Sequence, residues 1–245
     1  KQTMTRAELA KGFHPATESE CISRISAFFD SFAHERDKWR KKNPGYYKAL
    51  ENEYKFIVEL GASVLEIGCS TGWLLAAMAP ARGLGIDISK EVIEEAKKLH
   101  EASGLEFQNV AIENFDAKGE QFDYIILSDI LPFLYDISNV FANIRKLCHP
   151  RTRVIINCYS NLWNPAIKLG ENLGTKARQP ILNWITRKDV ENFLELNGFE
   201  VISSKPRVLL PLSIPFVAKF CNRFLSAFKL FNFACISNFT VARLP

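Results

Sequence analysis

A short apolar strand that runs directly into a turn of small residues constrains the fold more than any other feature. Val64-Leu65-Glu66-Ile67 is followed by Gly68-Cys69-Ser70-Thr71-Gly72, and a helix begins near Trp73. This order is typical of the first unit of an open α/β sheet, in which ligands bind at the carboxyl ends of the strands. Glycines let the backbone approach a ligand closely. The turn therefore predicts a binding site.

Short apolar strands alternate with amphipathic helices after this turn, which predicts an α/β fold with a parallel sheet covered on both faces. Ser89 is predicted to cap the next helix, Thr186 and Asp189 have the spacing of a capping box, and Asn197-Gly198 ends that later helix. The predicted strands are 63–67, 83–87, 105–110, 122–128, 152–159, 201–209 and 236–243, and the helix after Ser89 is predicted over 90–101.

The chain is predicted to form one structural unit with two parts, a helical cap over residues 1–60 and an α/β domain over residues 61–245. Apolar residues recur at helical spacing from 18 to 60, with a break at Asn43-Pro44-Gly45. A length of 245 residues suits one sizeable core and is short for two. We therefore expect the cap to pack on the sheet.

Charge and cysteine usage exclude several classes of protein. The 31 basic and 27 acidic residues are interleaved, so the net charge of +4 does not predict a nucleic-acid groove. One dense basic run, Lys38-Trp39-Arg40-Lys41-Lys42, is interpreted as a solvated helix end. The 6 cysteines are scattered singly without histidines at ligand spacing, which predicts no metal site, reduced thiols and a cytoplasmic location.

Two apolar segments near the carboxyl end are candidates for a membrane-spanning or membrane-binding segment. The run 208–218 contains Pro211 and Pro215 and is too short to span a bilayer, which takes roughly 20 residues. By contrast, phenylalanines and basic residues alternate over 214–233 in the pattern of an amphipathic basic helix. Such a helix either lies at the inner membrane face or covers the sheet or a dimer contact.

The ends of the chain leave its context open. The amino end lacks the layout of a secretory signal, and the chain begins at Lys1 rather than at methionine. Fusion to another module is therefore left open.

The turn does not fit a dinucleotide site. Counted from Gly68, the third and sixth places of a Gly-x-Gly-x-x-Gly pattern hold Ser70 and Trp73, and no P-loop sequence is present. The second strand, however, ends on Asp87. A carboxylate at that place can accept hydrogen bonds from both ribose hydroxyls of a nucleoside-like cofactor.

Taken together, the turn after Glu66, the strand-end Asp87 and the segment Phe122–Asp129 resemble the class I S-adenosylmethionine-dependent methyltransferases over residues 63–160. Four shorter segments resemble a bacterial branch often encoded with or fused to glycosyltransferases: Phe29–Ala33, His34–Trp39, Tyr46-Tyr47 and Leu147–Arg153. The resemblance implies a Rossmann-like fold with a mostly parallel seven-stranded sheet, an N-terminal helical lid and S-adenosylmethionine as the cofactor.

The resemblance also implies a set of cofactor contacts. The methionine amino group would lie near Glu66, and the methionine end would meet the backbone carbonyl of Ser128. The methionine and ribose would be lined by Gly68, Cys69, Ser70 and Gly72, and the ribose hydroxyls would bind Asp87. Adenine would contact Ile88, Ile112 and Glu113. Tyr46 and Tyr47 are predicted either to form a lid over the cofactor or to pack on the sheet. The chain departs from the family at Ser70, where a glycine is usual, and at Val110-Ala111, where an aspartate is common.

Methyl transfer needs alignment of two reactants more than it needs an acid–base pair. Two candidates for a base lie at the ends of the fourth and fifth predicted strands, Asp129 and Tyr159. The sequence therefore predicts a methyltransferase for a small-molecule, glycan or lipid-linked acceptor. Two alternatives remain, an inactive cofactor-binding module that supports a partner enzyme and a nicotinamide-dependent oxidoreductase that lacks the usual fingerprint.

Overall fold

The computed structural model describes most of the chain. The described residues are 15–173, 179–180, 183, 185–209, 232 and 234–245. The predicted amphipathic helix over 214–233 lies outside them apart from position 232. Within the described residues, no helix combines the length and the apolar character that crossing a membrane requires.

The centre of the fold is a seven-stranded sheet with the order β3-β2-β1-β4-β5-β7-β6. The strands are β1 (Ser63–Ile67), β2 (Arg82–Asp87), β3 (Glu106–Asn109), β4 (Phe122–Ser128), β5 (Cys148–Tyr159), β6 (Glu200–Arg207) and β7 (Ser237–Arg243). Strands β1 to β5 are parallel to one another, and β7 runs antiparallel between β5 and β6. The predicted α/β fold with a mostly parallel seven-stranded sheet is confirmed.

Helices connect the strands and precede the first one. They are α1 (Glu18–Asp30), α2 (Arg36–Lys42), α3 (Pro44–Ile57), α4 (Trp73–Met78), α5 (Lys90–Leu99), α6 (Ile137–Lys146), α7 (Asn164–Asn172) and α8 (Arg187–Leu196). The predicted caps are confirmed: the Ser89 hydroxyl accepts a hydrogen bond from the backbone of Val92, and Thr186 and Asp189 form a capping box at α8. Most predicted strand and helix boundaries differ by one or two residues, and the largest difference is at β5, which begins at Cys148, paired with Phe122, rather than at 152.

The two faces of the sheet bury separate apolar clusters. Leu65 and Ile125 belong to one cluster, together with side chains of α6 and α8. Val64 and Ile126 belong to the other, together with side chains of α3, α4 and α5. Successive residues of a strand point to opposite faces, so β1 and β4 are apolar without alternation.

The strand order places a crevice at the carboxyl end of β1. The chain leaves β1 toward β2 and β3 on one side and continues with β4 on the other. Loops that leave neighbouring strands in opposite directions open a gap between them, which is where ligands bind in such sheets.

Helix α1 is attached to the loop that follows β2. The Ser26 hydroxyl donates to the backbone oxygen of Ile88 at 2.9 Å. The Asp30 carboxylate accepts from the Ser89 hydroxyl at 2.6 Å and from the backbone N–H of Glu91 at 3.1 Å. An acidic side chain at the first turn of α5 also interacts favourably with the helix dipole. Helix α1 therefore holds this loop at the edge of the crevice.

We expect Asp30→Ala to lower the free energy of unfolding by about 1–2 kcal/mol, because two donors at the start of α5 lose their acceptor. Urea denaturation followed by circular dichroism measures the change. Glu101→Ala is the matched control, since it removes an exposed carboxylate from a turn. Equal stabilities of the Asp30 and Glu101 variants would show that the attachment of α1 contributes nothing.

Candidate functional site

A cavity opens at the carboxyl ends of β1, β2 and β4, and most of the residues predicted to form the site line it. We call it the first cavity; its predicted lining residues are Glu66, Gly68, Cys69, Ser70, Asp87, Ile88, Ile112, Glu113, Ser128, Asp129 and Tyr159. Gly72 and Tyr46 do not line it. Gly72 immediately precedes α4, and Tyr46 lines a second, adjacent cavity.

The turn after β1 takes a conformation that favours glycine. Gly68 and Gly72 have φ values of 71° and 73°, and Ser70 has a φ of 52°. A Cβ at Gly68 would overlap the Ile130 side chain, and a Cβ at Gly72 would lie 2.6 Å from the Phe107 ring. These glycines therefore have both a conformational and a packing requirement.

Ser70 stands where the resemblance leads us to expect a glycine, and its left-handed backbone costs about 1–2 kcal/mol for a residue with a Cβ. Two hydrogen bonds offset this cost. The Ser70 N–H donates to Asp87 Oδ2 at 3.0 Å, and its hydroxyl accepts from Arg36 Nε at 2.9 Å. The serine thus connects the turn to β2 and to the N-terminal helices.

The Asp87 carboxylate is held by backbone on both of its oxygens. Besides the bond from Ser70, its Oδ1 accepts from the backbone N–H of Ser89 at 2.9 Å. Burial raises the pKa of Asp87, while these two N–H groups and the nearby Arg36 oppose that shift. Each carboxylate oxygen has a second lone pair. Asp87 can therefore still accept hydrogen bonds from the hydroxyls of a ribose.

Glu66 is a buried carboxyl group in the middle of this region. Its side chain is only 2% exposed and accepts one hydrogen bond, from the Leu75 backbone N–H at 3.0 Å. Burial raises the pKa of Glu66 well above 4.5. A cationic group in the cavity would offset the cost of burying the charged form. The methionine ammonium of S-adenosylmethionine is such a group, so Glu66, Asp87 and the glycine turn fit this cofactor.

The remaining predicted contacts form the far wall of the first cavity. Ile112 and Glu113 belong to a short 3-10 helix after β3, and burial raises the pKa of Glu113. Val110, one of the two positions without the expected aspartate, also lines the cavity. Adenine can therefore contact apolar side chains there. Cys69 is buried, and burial raises the pKa of its thiol well above 9.0, which disfavours the nucleophilic thiolate form.

Arg36 is a site residue that the sequence reasoning missed. It lines both cavities, and its guanidinium lies 5.3 Å from the Phe29 ring centroid. Within the described chain, no carboxylate forms an ion pair with it. Arg36 can therefore bind an anionic group of a ligand. The segment His34–Trp39 contributed to the resemblance to the bacterial branch, but it gave Arg36 no role in the site. The reason is that α2 is far from β1 in the sequence.

The predicted base Asp129 belongs to a hydrogen-bonded chain. Its Oδ2 accepts from the Tyr46 hydroxyl at 2.7 Å, and its Oδ1 accepts from Asn157 Nδ2 at 2.8 Å. The Tyr54 hydroxyl donates to Asn157 Oδ1, so the amide nitrogen of Asn157 points to Asp129. Asn157 and Tyr54 are fully buried. These hydrogen bonds hold the Asp129 carboxylate in place, on a residue whose backbone φ is 55°.

Tyr159, the other predicted base, forms a wall of the site. Its ring stacks on Tyr46 with a centroid distance of 5.2 Å and an interplanar angle of 16°. Burial raises the pKa of Tyr159 well above 10.0. A phenol that holds its proton so firmly is poorly suited to take one from a substrate. Asp129 is the better candidate, and the role of Tyr159 stays a prediction.

The second cavity adjoins the first and is rich in aromatic side chains. Tyr47 and Trp73 line both cavities, and their rings meet edge to face at 5.2 Å. The aromatic residues of the second cavity are Phe32, Trp39, Tyr46, Tyr47, Trp73 and Tyr159. Two connected cavities, one of them suited to a nucleoside, can hold two reactants side by side.

Comparison with known proteins identifies relatives of this arrangement. The sequence profile of a family described as "Methyltransferase domain" matches residues 22–204, more than half of the chain. An uncharacterised protein of Methanocaldococcus jannaschii is 27% identical over 72% of this chain and 82% of its own length.

Two further relatives have named activities. The phthiotriol/phenolphthiotriol dimycocerosates methyltransferase 1 of Mycobacterium ulcerans is 26% identical over 68% of this chain, and a ubiquinone biosynthesis O-methyltransferase of Bartonella bacilliformis is 27% identical over 55%. The match spans 61% and 55% of the lengths of these two enzymes. The chain therefore corresponds to only part of each.

Solved structures share the fold at low sequence identity. A possible histamine N-methyltransferase of Thermotoga maritima has a TM-score of 0.66 and 13% identity, covering 90% of this chain and 100% of its own. The magnesium protoporphyrin IX methyltransferase of Synechocystis, with bound S-adenosylhomocysteine, has a TM-score of 0.60 and 17% identity, covering 92% and 100%. The cyclase SpnF has a TM-score of 0.66 and 14% identity, covering 96% and 99%.

We expect Glu66→Gln to raise the free energy of unfolding of the ligand-free protein at pH 8. Since the pKa of Glu66 is raised by folding, its stabilising effect is complete below the unfolded pKa of about 4.3 and is lost as the pH rises. The advantage of the variant should therefore increase from pH 5 to pH 8 in urea denaturation. Glu91→Gln, at an exposed position, is the control. A pH-independent difference would contradict the shifted pKa.

The Tyr54→Phe variant tests the hydrogen-bonded chain. Loss of the hydroxyl leaves the buried oxygen of Asn157 without this donor, which should cost about 1–3 kcal/mol of stability. Tyr135→Phe removes an exposed hydroxyl that makes only a 3.4 Å hydrogen bond to the Ala16 backbone, so it should change stability by less than about 0.5 kcal/mol. Guanidinium denaturation measures both, and similar values for the two would argue against the chain.

Proposed function

This chain belongs to the family of methyltransferase domains, with S-adenosylmethionine as its cofactor, and we propose that it methylates a hydroxyl group of an acceptor in the second cavity. One observation carries this proposal. The hydrogen bond between Tyr46 and Asp129 joins a residue of the acceptor cavity to a residue of the cofactor cavity. A carboxylate is thereby placed where the two reactants would meet.

When bound, S-adenosylmethionine supplies a methyl group that its sulfonium already activates. The protein's own contribution is then to bind and align the two reactants, which can lower a barrier by about 7–11 kcal/mol. Glu66 and Asp87 hold the polar parts of the cofactor, and Arg36 lines both cavities. Tyr47 and Trp73 lie between the two cavities, where they exclude water and offer aromatic faces to a cation.

Asp129 acts as the base in this proposal. It takes the proton of the acceptor hydroxyl as the new oxygen–carbon bond forms, a contribution of about 10²–10⁴-fold in rate. Burial and the nearby Asp129 raise the pKa of Tyr46 well above 10.0, so Tyr46 stays protonated and keeps the carboxylate in place. Asn157 holds the other oxygen of Asp129.

The acceptor is a small molecule, a glycan or a lipid-linked compound. The named relatives support an amphiphilic acceptor, since one is a dimycocerosate methyltransferase and another acts in ubiquinone biosynthesis. A peripheral position at the inner membrane face, through the segment 214–233, would bring the site to such a compound. A glycosyltransferase is the partner that the bacterial branch implies.

The second candidate function is a cofactor-binding module without methyltransferase activity that supports a partner enzyme. The hydrogen bonding of Asp129 supports this alternative, because both of its carboxylate oxygens already accept hydrogen bonds within the protein. Tight binding of S-adenosylmethionine without turnover on hydroxyl acceptors would support the module.

We expect Asp129→Asn to leave the dissociation constant for S-adenosylhomocysteine within about twofold and to lower turnover by about 10²-fold or more. Calorimetry measures the first, and transfer of a radiolabelled methyl group to a panel of hydroxyl acceptors measures the second. Asp116→Asn, which changes an exposed aspartate, is the matched control. Full turnover by the Asp129 variant would discard this residue as the base.

A further inference from the structure

The positive charge of the protein is concentrated on one helix beside the second cavity. Helix α2 has the sequence RDKWRKK, with five basic residues and one acidic residue. Its net charge of +4 equals the formal net charge of the whole chain. The rest of the chain is therefore neutral in sum, so the formal net charge of the chain equals the charge of this helix.

The basic side chains are divided between the cavity and the solvent. Arg36 and Arg40 line the second cavity, together with Trp39 of the same helix. Lys38 and Lys41 are exposed on the outer side. Lys42 connects the two sides, because its Nζ lies 4.3 Å from the centroid of the Trp39 ring. The helix thus presents guanidinium groups to the cavity and ammonium groups to the solvent.

Among the described residues, carboxylates neutralise little of the charge of Arg36, Lys38, Arg40 and Lys41. Arg40 pairs with Asp37 at 3.3 Å, but both side chains are about one-third exposed, so solvent screens the pair. Among the residues that the structure describes, no carboxylate forms an ion pair with Arg36, Lys38 or Lys41. Basic residues in the last turn of a helix interact favourably with the helix dipole. This effect does not explain the basic residue at Arg36, which lies in the first turn.

We propose that α2 binds a phosphate or pyrophosphate group of the acceptor, while the ring that carries the reactive hydroxyl lies between the aromatic walls of the second cavity. This inference rests on the proposed function. Guanidinium groups form paired hydrogen bonds with phosphate oxygens, and the exposed lysines of α2 raise the rate of encounter with an anion. The phosphate can belong to a soluble nucleotide-linked sugar or to a membrane lipid.

Binding measurements on the protein saturated with S-adenosylhomocysteine test this proposal. The soluble probe is UDP-glucose, with glucose as its uncharged counterpart, and isothermal titration gives the affinities. The membrane probe is vesicles of phosphatidylcholine with 30% phosphatidylglycerol, compared by co-sedimentation with pure phosphatidylcholine. The variants are Arg40→Ala and the double change Lys38→Ala with Lys41→Ala. The control is Lys97→Ala with Lys98→Ala, which removes two exposed lysines of α5.

We expect one of the two phosphate probes to bind, and Arg40→Ala to weaken its binding at least tenfold. The Lys38 and Lys41 double variant should weaken it about three- to tenfold at 50 mM salt and much less at 500 mM, because exposed charges are screened. The control should stay within twofold. Binding of UDP-glucose but not of glucose would identify a soluble phosphate ester, and binding of anionic vesicles alone would identify a lipid phosphate.

Two results would overturn the proposal. One is the absence of binding to both phosphate probes, and the other is binding that the α2 variants leave unchanged. Failure to bind S-adenosylhomocysteine in the first step is a separate result, since it would refute the proposed function itself and this inference with it.

Discussion

The organisation of the site depends on the carboxylate of Asp87. It accepts hydrogen bonds from the backbone of Ser70 in the turn after β1 and of Ser89 at the start of α5. Two loops that leave neighbouring strands are thereby fixed to one side chain. Helix α1 attaches to the same place through Asp30, and Arg36 attaches through the hydroxyl of Ser70. Loss of this carboxylate would release the cofactor turn and its contacts with the cap.

A second constraint acts on the other side of β1. Burying Asn157 and Tyr54 is costly unless their polar atoms are paired, and they are paired with each other and with Asp129. This arrangement links α3, β4 and β5, so the base candidate is held by the cap and by the sheet together. Tyr46 completes the link from the surface of the acceptor cavity. A mobile surface carboxylate could not be positioned in this way.

Local patterns predicted much of the fold and part of the site. Ser89 and the Thr186–Asp189 capping box could be placed because capping depends on residues three positions apart. The cofactor turn and Asp87 could be found because each directly follows a buried strand. By contrast, Arg36, Tyr54 and Asn157 act through partners 28 to 103 residues away in the chain. Pairs of residues so far apart in the chain produce no periodic pattern in the sequence, so the sequence alone gave these residues no role in the site.

The sequence by itself determined the class of fold, the position of the cofactor turn and the carboxylate at the end of β2, since all three follow from short apolar strands and the residues at their ends, which are local features of the sequence. Only the tertiary structure decided that α2 and α3 close the crevice and that their aromatic side chains form a second cavity. It also decided that the helix containing the basic run, which was interpreted as a solvated helix end, places Arg36 and Arg40 at that cavity. Helix packing sets these contacts, and packing depends on the shape of the whole core.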